Sequence, residues 1–359
     1  MNILFIIPYP LGKAPSQRFR FEQYFRILDS QGIKYEAVPF LDNATWGILY
    51  ESGNLLRKAL AVSSGFIRRL KSLFILGKYE FIFIHREAGP IGPPVFEYLY
   101  AKVFRKKIIY DFDDAIWLPN TSDENKLIGK LKWPGKVSLI CKWSYKVSCG
   151  NEYLCNYARQ FNKNVILNPT TIDTENQHNP YLYVKSQLAT NKKIRLGWTG
   201  SHSTLKYLEE IIPVLKKLEK QIAFDFLVIS NKRPEFQLKS LRFIPWNQET
   251  EIEDLMKIDI GLMPLSQDPW VLGKCGFKAL QYMALEKPAL VTPVGVNKEI
   301  VENGISGLHC WSEEEWLESI GLLIEDQNRR KILGKAARGK IENYYSVTSN
   351  APNFLSLFT

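Results

Sequence analysis

The chain has 359 residues, 45% of them apolar and 23% charged, enough for about two domains, each with its own core. No apolar run of transmembrane length occurs, and MNILFIIPYP opens with no basic residue ahead of its short apolar stretch, which argues against a spanning helix and a secretory signal. Cys141, Cys149, Cys155, Cys275 and Cys310 are scattered without a Cys-x-x-Cys pair, so neither a disulfide framework nor a structural zinc site is expected, and a cytoplasmic setting fits.

The net charge of +10 is uneven: residues 1–190 hold 25 basic and 16 acidic side chains and so carry nearly all of the excess. Two segments concentrate it, Asn54 to Lys78 and Lys126 to Lys146, each with six basic residues, no acidic one, and interleaved Leu, Ile, Phe or Trp. Such stretches suit an anionic membrane surface, which would make the protein peripheral on the inner membrane face; the plainer reading is a solvated basic face over a packed apolar one. Nucleic acid would suit the charge, but no nucleic-acid-binding motif accompanies it, and none is expected as partner.

In chain order, β-rich runs alternate with helical patterns, the mark of α/β layers with mainly parallel sheets. Strands are predicted at 2–7, 34–40, 81–85, 107–111, 146–150 and 164–168, and after a polar stretch a second series follows at 194–198, 224–230, 241–245, 259–264, 288–293 and 307–311. The polar stretch at 170–192 predicts a domain boundary, giving an N-terminal domain over 1–170 and a C-terminal domain over 190–340. Between the later strands, Leu205, Leu208, Ile211, Ile212, Leu215 and Leu218 share one helical face that Pro213 should kink. Ser312 and Glu315 form a capping box opening a helix through Glu325, and a last helix from about Gln327 to Tyr345 precedes an uncharged tail.

Ligands of such sheets bind beyond the carboxyl ends of the strands, so function is sought in the strand-to-helix loops. After the strand at 194–198, GWTGSHSTLKYL offers Gly200 for close backbone approach and Ser201, Ser203 or Thr204 as helix caps, an arrangement that suits phosphate and is also common in capped helices of no special function. A stronger signal runs from Asp268 to Cys310. Gly273 and Gly276 flank a helix start, Lys274 and Lys278 stand four apart beside it, and Gln281 follows on the same side. Lysines at a helix N-terminus oppose the macrodipole, and an anionic ligand would remove that conflict. The next loop, PVGVNKEIV, brings Gly295 and Glu299 to neighbouring strand ends, where Glu299 also reads as a plain helix-capping acid.

The order Gly-x-x-x-Lys-x-Leu-Gln-x-Met-Ala-x-x-x-Pro, then Pro-Val-Gly-x-x-x-Glu-Ile-Val-x-x-Gly-x-x-Gly, resembles the donor-binding signature of retaining GT-B glycosyltransferases (glycosyl transferases group 1, family 4-like). The resemblance is specific over about 260–310. It implies two Rossmann-like doubly wound domains facing across a cleft, the first for the acceptor and the second for a nucleotide sugar, with a C-terminal helix in 340–359 packing back on the first. In that family two glutamates seven residues apart contact the donor. The second position maps to Gln281, suited to a ribose, and the first to Gly273, which has no side chain, leaving Lys274, Asp268 or a water as substitutes. Lys274 and Lys278 become candidates for the diphosphate together with Gly200, Ser201 and Gly276, and Glu299 matches a residue near the donor.

In the first half, KIIYDFDDAIWLP places Asp111, Asp113 and Asp114 at a strand end, where three acids need cations, hydrogen bonds or raised pKa values. They read as a divalent-metal site of the GT-A kind, as a buried structural network, or, for Asp113, as the residue standing where many GT-B members carry a histidine facing the reacting sugar. Arg18 and Arg20, where the family commonly has a glycine pair, and Arg86 beside His85 are candidates for an anionic acceptor or a phosphate, or else for ion pairs with those acids. The resemblance implies transfer of a hexose from a nucleotide diphosphate sugar to a hydroxyl of a lipid-linked or glycan acceptor, with retention, without metal or other cofactor, in cell-surface polysaccharide or lipopolysaccharide synthesis. The competing expectation, supported by Gly273, is a non-catalytic sugar-nucleotide or polysaccharide-binding subunit of the same fold.

Overall fold

In a computed structural model, which describes residues 1–49, 55–118, 133–187 and 193–359, every run read as a strand forms one. The first six are β1 (Asn2–Ile7), β2 (Lys34–Pro39), β3 (Phe81–His85), β4 (Lys107–Phe112), β5 (Lys146–Cys149) and β6 (Val165–Leu167). They pair in parallel in the order β2-β1-β3-β4-β5-β6. The second six are β7 (Ile194–Thr199), β8 (Phe224–Ser230), β9 (Leu241–Pro245), β10 (Ile260–Met263), β11 (Ala289–Val291) and β12 (Gly307–His309), parallel in the order β12-β11-β10-β7-β8-β9. Parallel strands between helical layers are buried on both faces, which is why β1, β3 and β10 read as unbroken apolar runs.

The chain divides into two units, Met1–Thr170 with Ala351–Thr359, and Thr171–Asn350. The uncharged tail is helical over Val347–Leu355 despite Pro352. Its burial explains this: Phe354 stacks on Tyr24 at 4.2 Å, and Phe358 meets the rings of Phe81 and Phe83. Lys146 fixes the end by donating to the Ser356 and Thr359 carbonyls at 2.6 and 3.0 Å. Lys136, in the Lys136–Trp143 helix, is likewise tied inward, to Glu87 at 2.6 Å and the Gly89 carbonyl at 2.8 Å. The second basic segment thus spends two of its cations on its own unit, while residues 126–132 lie outside those described.

In the second unit the break expected at Pro213 is real: a 3-10 stretch, His202–Ile211, passes into an α-helix, Ile212–Leu218, with the proline in its first turn, where its missing N–H is harmless. The capping box of Ser312 and Glu315 opens the Glu313–Glu325 helix. Two glycines of the following Gln327–Tyr344 helix make opposite predictions. A Cβ on Gly334 would lie 2.1 Å from the Glu286 carbonyl oxygen, whereas one on Gly339 meets nothing. Urea titration is therefore expected to show Gly334→Ala destabilised by about 3 kcal/mol and Gly339→Ala stabilised by about 0.5–1 kcal/mol.

Candidate functional site

In the first sheet β1 sends the chain to β2 on one side while β3 lies on the other, and ligands of such sheets gather where the order reverses. The loop after β1 is held open by side chains. Gln17 accepts from the Tyr9 N–H at 2.9 Å and donates to the Tyr9 carbonyl at 3.0 Å, and it donates to Glu22 at 3.1 Å. Glu22 in turn accepts from the Gly12 N–H at 2.8 Å, where φ of +77° needs a glycine. Burial raises the Glu22 pKa, against the pull of the Gly12 and Gln17 donors.

Arg20, expected to grip an acceptor anion or phosphate, is only 1% exposed. A buried guanidinium must be paired, and Arg20 pairs with both Asp111 oxygens and the Asn168 carbonyl. Asp111 also binds His85 Nδ1 at 2.8 Å and accepts from Ser148 Oγ at 2.6 Å. Burial alone would raise the Asp111 pKa, but Arg20 and His85 outweigh it and hold the group well below the usual carboxylate range. The plain ion-pair reading is thus the one realised for Arg20 and Asp111.

Arg86 follows β3 with φ of +60°, a conformation costly for a side-chain-bearing residue. Hydrogen bonds hold it there: its N–H donates to the Asp111 carbonyl at 2.7 Å and its carbonyl accepts from Tyr110 at 2.8 Å. The side chain donates to Asp113 through Nε and Nη2 (2.9 and 2.7 Å) and to Asp114 at 2.7 Å. Burial works against its charge, yet the two carboxylates raise its pKa on balance. The acids that had to find cations therefore find arginines, and among the described residues no group of three or more His, Cys, Asp or Glu is placed to hold a metal ion. Arg18, half-buried, lies 5.0 Å from the ring centre of Phe19. Tyr9 stands beside Arg86 and Asp113; its phenol pKa is raised, chiefly by burial.

In the second sheet the order reverses between β7 and β10. Beyond β7, a Cβ on Gly200 would lie 2.6 Å from Trp198 and 2.8 Å from Cε of Lys278, so the glycine lets the lysine stem cross the loop. The Lys278 ammonium stands 5.3 Å from the Trp198 ring centre. Ser201 Oγ is 2.9 Å from Ser203 Oγ, and the His202 N–H donates to Asn231 at 2.8 Å, shaping the rest of this loop.

Beyond β10, Asp268 caps the short Pro269–Leu272 helix, accepting from Val271 N–H at 3.0 Å. That work occupies the acid considered as a replacement for the missing glutamate. Gly273 closes this helix and is buried; Lys274 reaches back to 5.5 Å from the Trp270 ring centre. Gly276 then caps the Phe277–Ala284 helix at φ +68°, where a Cβ would strike Ile300 at 2.1 Å. Lys278 lies in the first turn of that helix.

Gln281, expected on the same side as the two lysines, is 1% exposed, and its Nε2 is 3.4 Å from His178 Nε2. The helix thus presents Lys278 at the loop and turns Gln281 inward. Glu299 is exposed in the four-residue Asn297–Ile300 turn. Gly200 and Lys278 come together, with Ser201 next in the loop; Lys274 and Gly276 lead into the same helix.

Several supports escaped the sequence reading. Tyr282 accepts from the Thr199 N–H at 3.0 Å and so fixes the end of β7, and Thr292 accepts from Leu265 N–H at 3.1 Å. Arg338, buried, donates to the His178, Ala284 and Thr174 carbonyls. The aromatic Trp198 directly before the loop was the one local signal available. His178 sits in a polar stretch that gave none.

Residues 184–340 match the profile of the family described as Glycosyl transferases group 1. No curated protein matches the chain in sequence. Among solved structures, it is similar to a glycosyltransferase from Rickettsia africae ESF-5 (TM-score 0.68, 15% identity, covering 99% of this chain and 97% of that one). It is also similar to sucrose-phosphate synthase from Thermosynechococcus elongatus (0.66, 11%, 100% and 98%). A third is HepE from Anabaena in complex with UDP-glucose (0.63, 14%, 99% and 99%). With two parallel six-stranded sheets flanked by helices, the chain shares the GT-B fold of these neighbours, and its residues 184–340 carry the match to Glycosyl transferases group 1.

Proposed function

We propose that this protein is a retaining, metal-independent glycosyltransferase moving a hexose from a nucleotide diphosphate sugar to a hydroxyl of a lipid-linked or polysaccharide acceptor in cell-surface glycan synthesis. The observation that carries the reading is the Lys278 stem lying across Gly200 where the second sheet reverses its order, inside the span that matches the family. UDP and UDP-glucose in HepE make a UDP-sugar the first donor to test.

As the bond from the anomeric carbon to the diphosphate breaks, its electron pair goes to the phosphate. Lys278, Lys274 and the Ser201 amide supply positive charge to that leaving group, while the Gly200 N–H is held by the Ile229 carbonyl at 3.1 Å. The acceptor oxygen bonds the same carbon on the same face, and its proton passes to the departing phosphate oxygen. No protein nucleophile is required. In the first unit Asp113, Arg86 and Arg18 are assigned to the acceptor; carboxylates there suit sugar hydroxyls. Gln281 reaches the ribose once its contact with His178 is released, and Glu299 borders the donor. The acceptor is presented at an anionic membrane surface on the inner face.

The test is a thermal-shift screen of UDP-, GDP-, ADP- and dTDP-sugars with and without EDTA, followed by transfer of labelled sugar to a membrane lipid extract. Selective stabilisation by one nucleotide sugar, unchanged by EDTA and followed by transfer, is expected. Stabilisation without transfer to any acceptor would favour the binding-subunit reading that Gly273 suggests. A shift only with a divalent ion would overturn metal independence.

A further inference from the structure

The Leu55–Ile75 helix is inverted. Its inward line, Ala61, Gly65, Arg69 and Ser72, is small or polar, and only Leu76, just past its end, is a large apolar residue on that line. Arg69 is fully buried and donates to the carbonyls of Ile7, Val38 and Ala88 at 2.7, 2.8 and 2.6 Å, tying down the ends of β1 and β2. Burial lowers its pKa to about 10, so it remains charged at neutral pH. The outward line holds the large apolar side chains: Leu56 is 83% exposed, Leu60 70%, Ile67 52%, Leu70 51% and Phe74 89%. Their spacing of three, four and seven makes a stripe about 27 Å long.

A helix normally turns its apolar face to the core, so this one is built for a second surface. It is not a spanning helix, because cations interrupt it and no described helix is long and apolar enough to cross a membrane. The neighbouring Val95–Tyr98 helix and its π-helical continuation, Leu99–Val103, extend the surface. They contact the first helix through Phe66 on Phe96 and Ser72 on Tyr100, and they expose Val95, Tyr98, Val103 and Phe104.

Charge selects the occupant. From Leu55 to Tyr79 the sequence has no acidic residue, and Arg57, Lys71, Lys78, Lys102 and Arg105 are exposed among these apolar groups. A symmetric pairing of two copies would set these cations against each other, whereas anionic headgroups neutralise them while the apolar stripe enters the acyl boundary.

We propose that the outward face of the Leu55–Ile75 helix, with the adjacent Val95–Phe104 segment, docks this protein on an anionic bilayer. The inference rests on the membrane-presented acceptor of the proposed function and names the element that makes the contact. The Lys126–Lys146 segment has no such role assigned, since Lys136 and Lys146 are tied inward.

The test is flotation of the full chain with phosphatidylcholine vesicles containing about 30% phosphatidylglycerol, against pure phosphatidylcholine, at low and high salt. Binding to the anionic vesicles only, weakened by salt, is expected. Leu60→Ser with Phe74→Ser should lower the partition coefficient by about a hundredfold, and Arg57→Glu with Lys71→Glu by about tenfold. All four positions are exposed, and each variant should keep the wild-type melting temperature and the stabilisation by nucleotide sugar.

Wild-type binding that survives both pairs of substitutions would overturn the assignment to this helix and leave the membrane reading standing. A wild type that ignores anionic vesicles overturns both. Loss of a dimer in Leu60→Ser with Phe74→Ser, seen by sedimentation without lipid, would assign the face to a second copy instead. Donor stabilisation is read separately, so failure here does not touch the nucleotide-sugar site.

Discussion

Lys278→Ala is expected to remove donor stabilisation almost entirely. With the nucleotide sugar at about 100 times its dissociation constant, mass action stabilises the wild type by about 2.7 kcal/mol, a rise of about 5–10 °C for a unit of this size. A lysine pairing with diphosphate is worth about 2–3 kcal/mol. Its loss raises the dissociation constant about a hundredfold and leaves a shift of about 1 °C at the same ligand concentration. Transfer, measured as kcat/KM, should fall by about 10²–10³, because the charge on the leaving phosphate is greatest in the transition state. Lys278→Met separates charge from packing, since its chain still crosses Gly200 and covers Trp198. It should behave as the alanine variant does toward donor while matching the wild type in unliganded melting. A donor shift undiminished in both variants would refute the role given to this lysine.

Asp111→Asn should be the most damaging substitution in the first unit. Removing one member of a buried pair leaves the other charge uncompensated, at a cost of about 3–5 kcal/mol, against a total stability of about 5–15 kcal/mol for a domain. Here the abandoned charge is Arg20, with no solvent to turn to. The melting temperature should drop by about 10 °C or more. Adding Arg20→Met to Asp111→Asn should recover part of the loss, because a paired removal strands no charge.

The acid limb gives a second readout. The folded pKa of Asp111 lies below its unfolded value, so its stabilisation is fully present above the unfolded value, about 3.9, and is lost as pH falls through the folded one. Stability measured down the acid limb should therefore be flatter in Asp111→Asn than in the wild type. Equal melting temperatures for wild type and Asp111→Asn would show that the network is not structural.

The layout was legible in the sequence because its signals are local. A parallel strand buried on both faces writes itself as a short apolar run, and the Ser312–Glu315 box needs only three residues of spacing. Gly200 and Lys278 were singled out from their own segments, although their meeting was not. What escaped depends on distant residues. For Arg20 the sequence leaves an anion grip and an ion pair equally open, and only the fold, which sets Asp111 from 91 positions away beside it, decides for the pair. Gln281 reads as sharing the side of Lys278 until His178, 103 positions away, is seen against it in the interior. The helix of the tail is implied by the resemblance alone, because Thr348, Ser349, Asn350 and Pro352 are poor helix formers; burial of Phe354, Leu357 and Phe358 overrides that preference.

Ala351–Thr359 complete the first unit although a whole second unit is translated in between. On the ribosome, Tyr24 and Phe83 must wait for Phe354 and Phe358. At about 5–20 residues per second, translating the second unit between Thr170 and Ala351 takes on the order of 10–40 s. The first unit is therefore the one that stands incomplete, exposed to chaperones and proteases, while the second is translated.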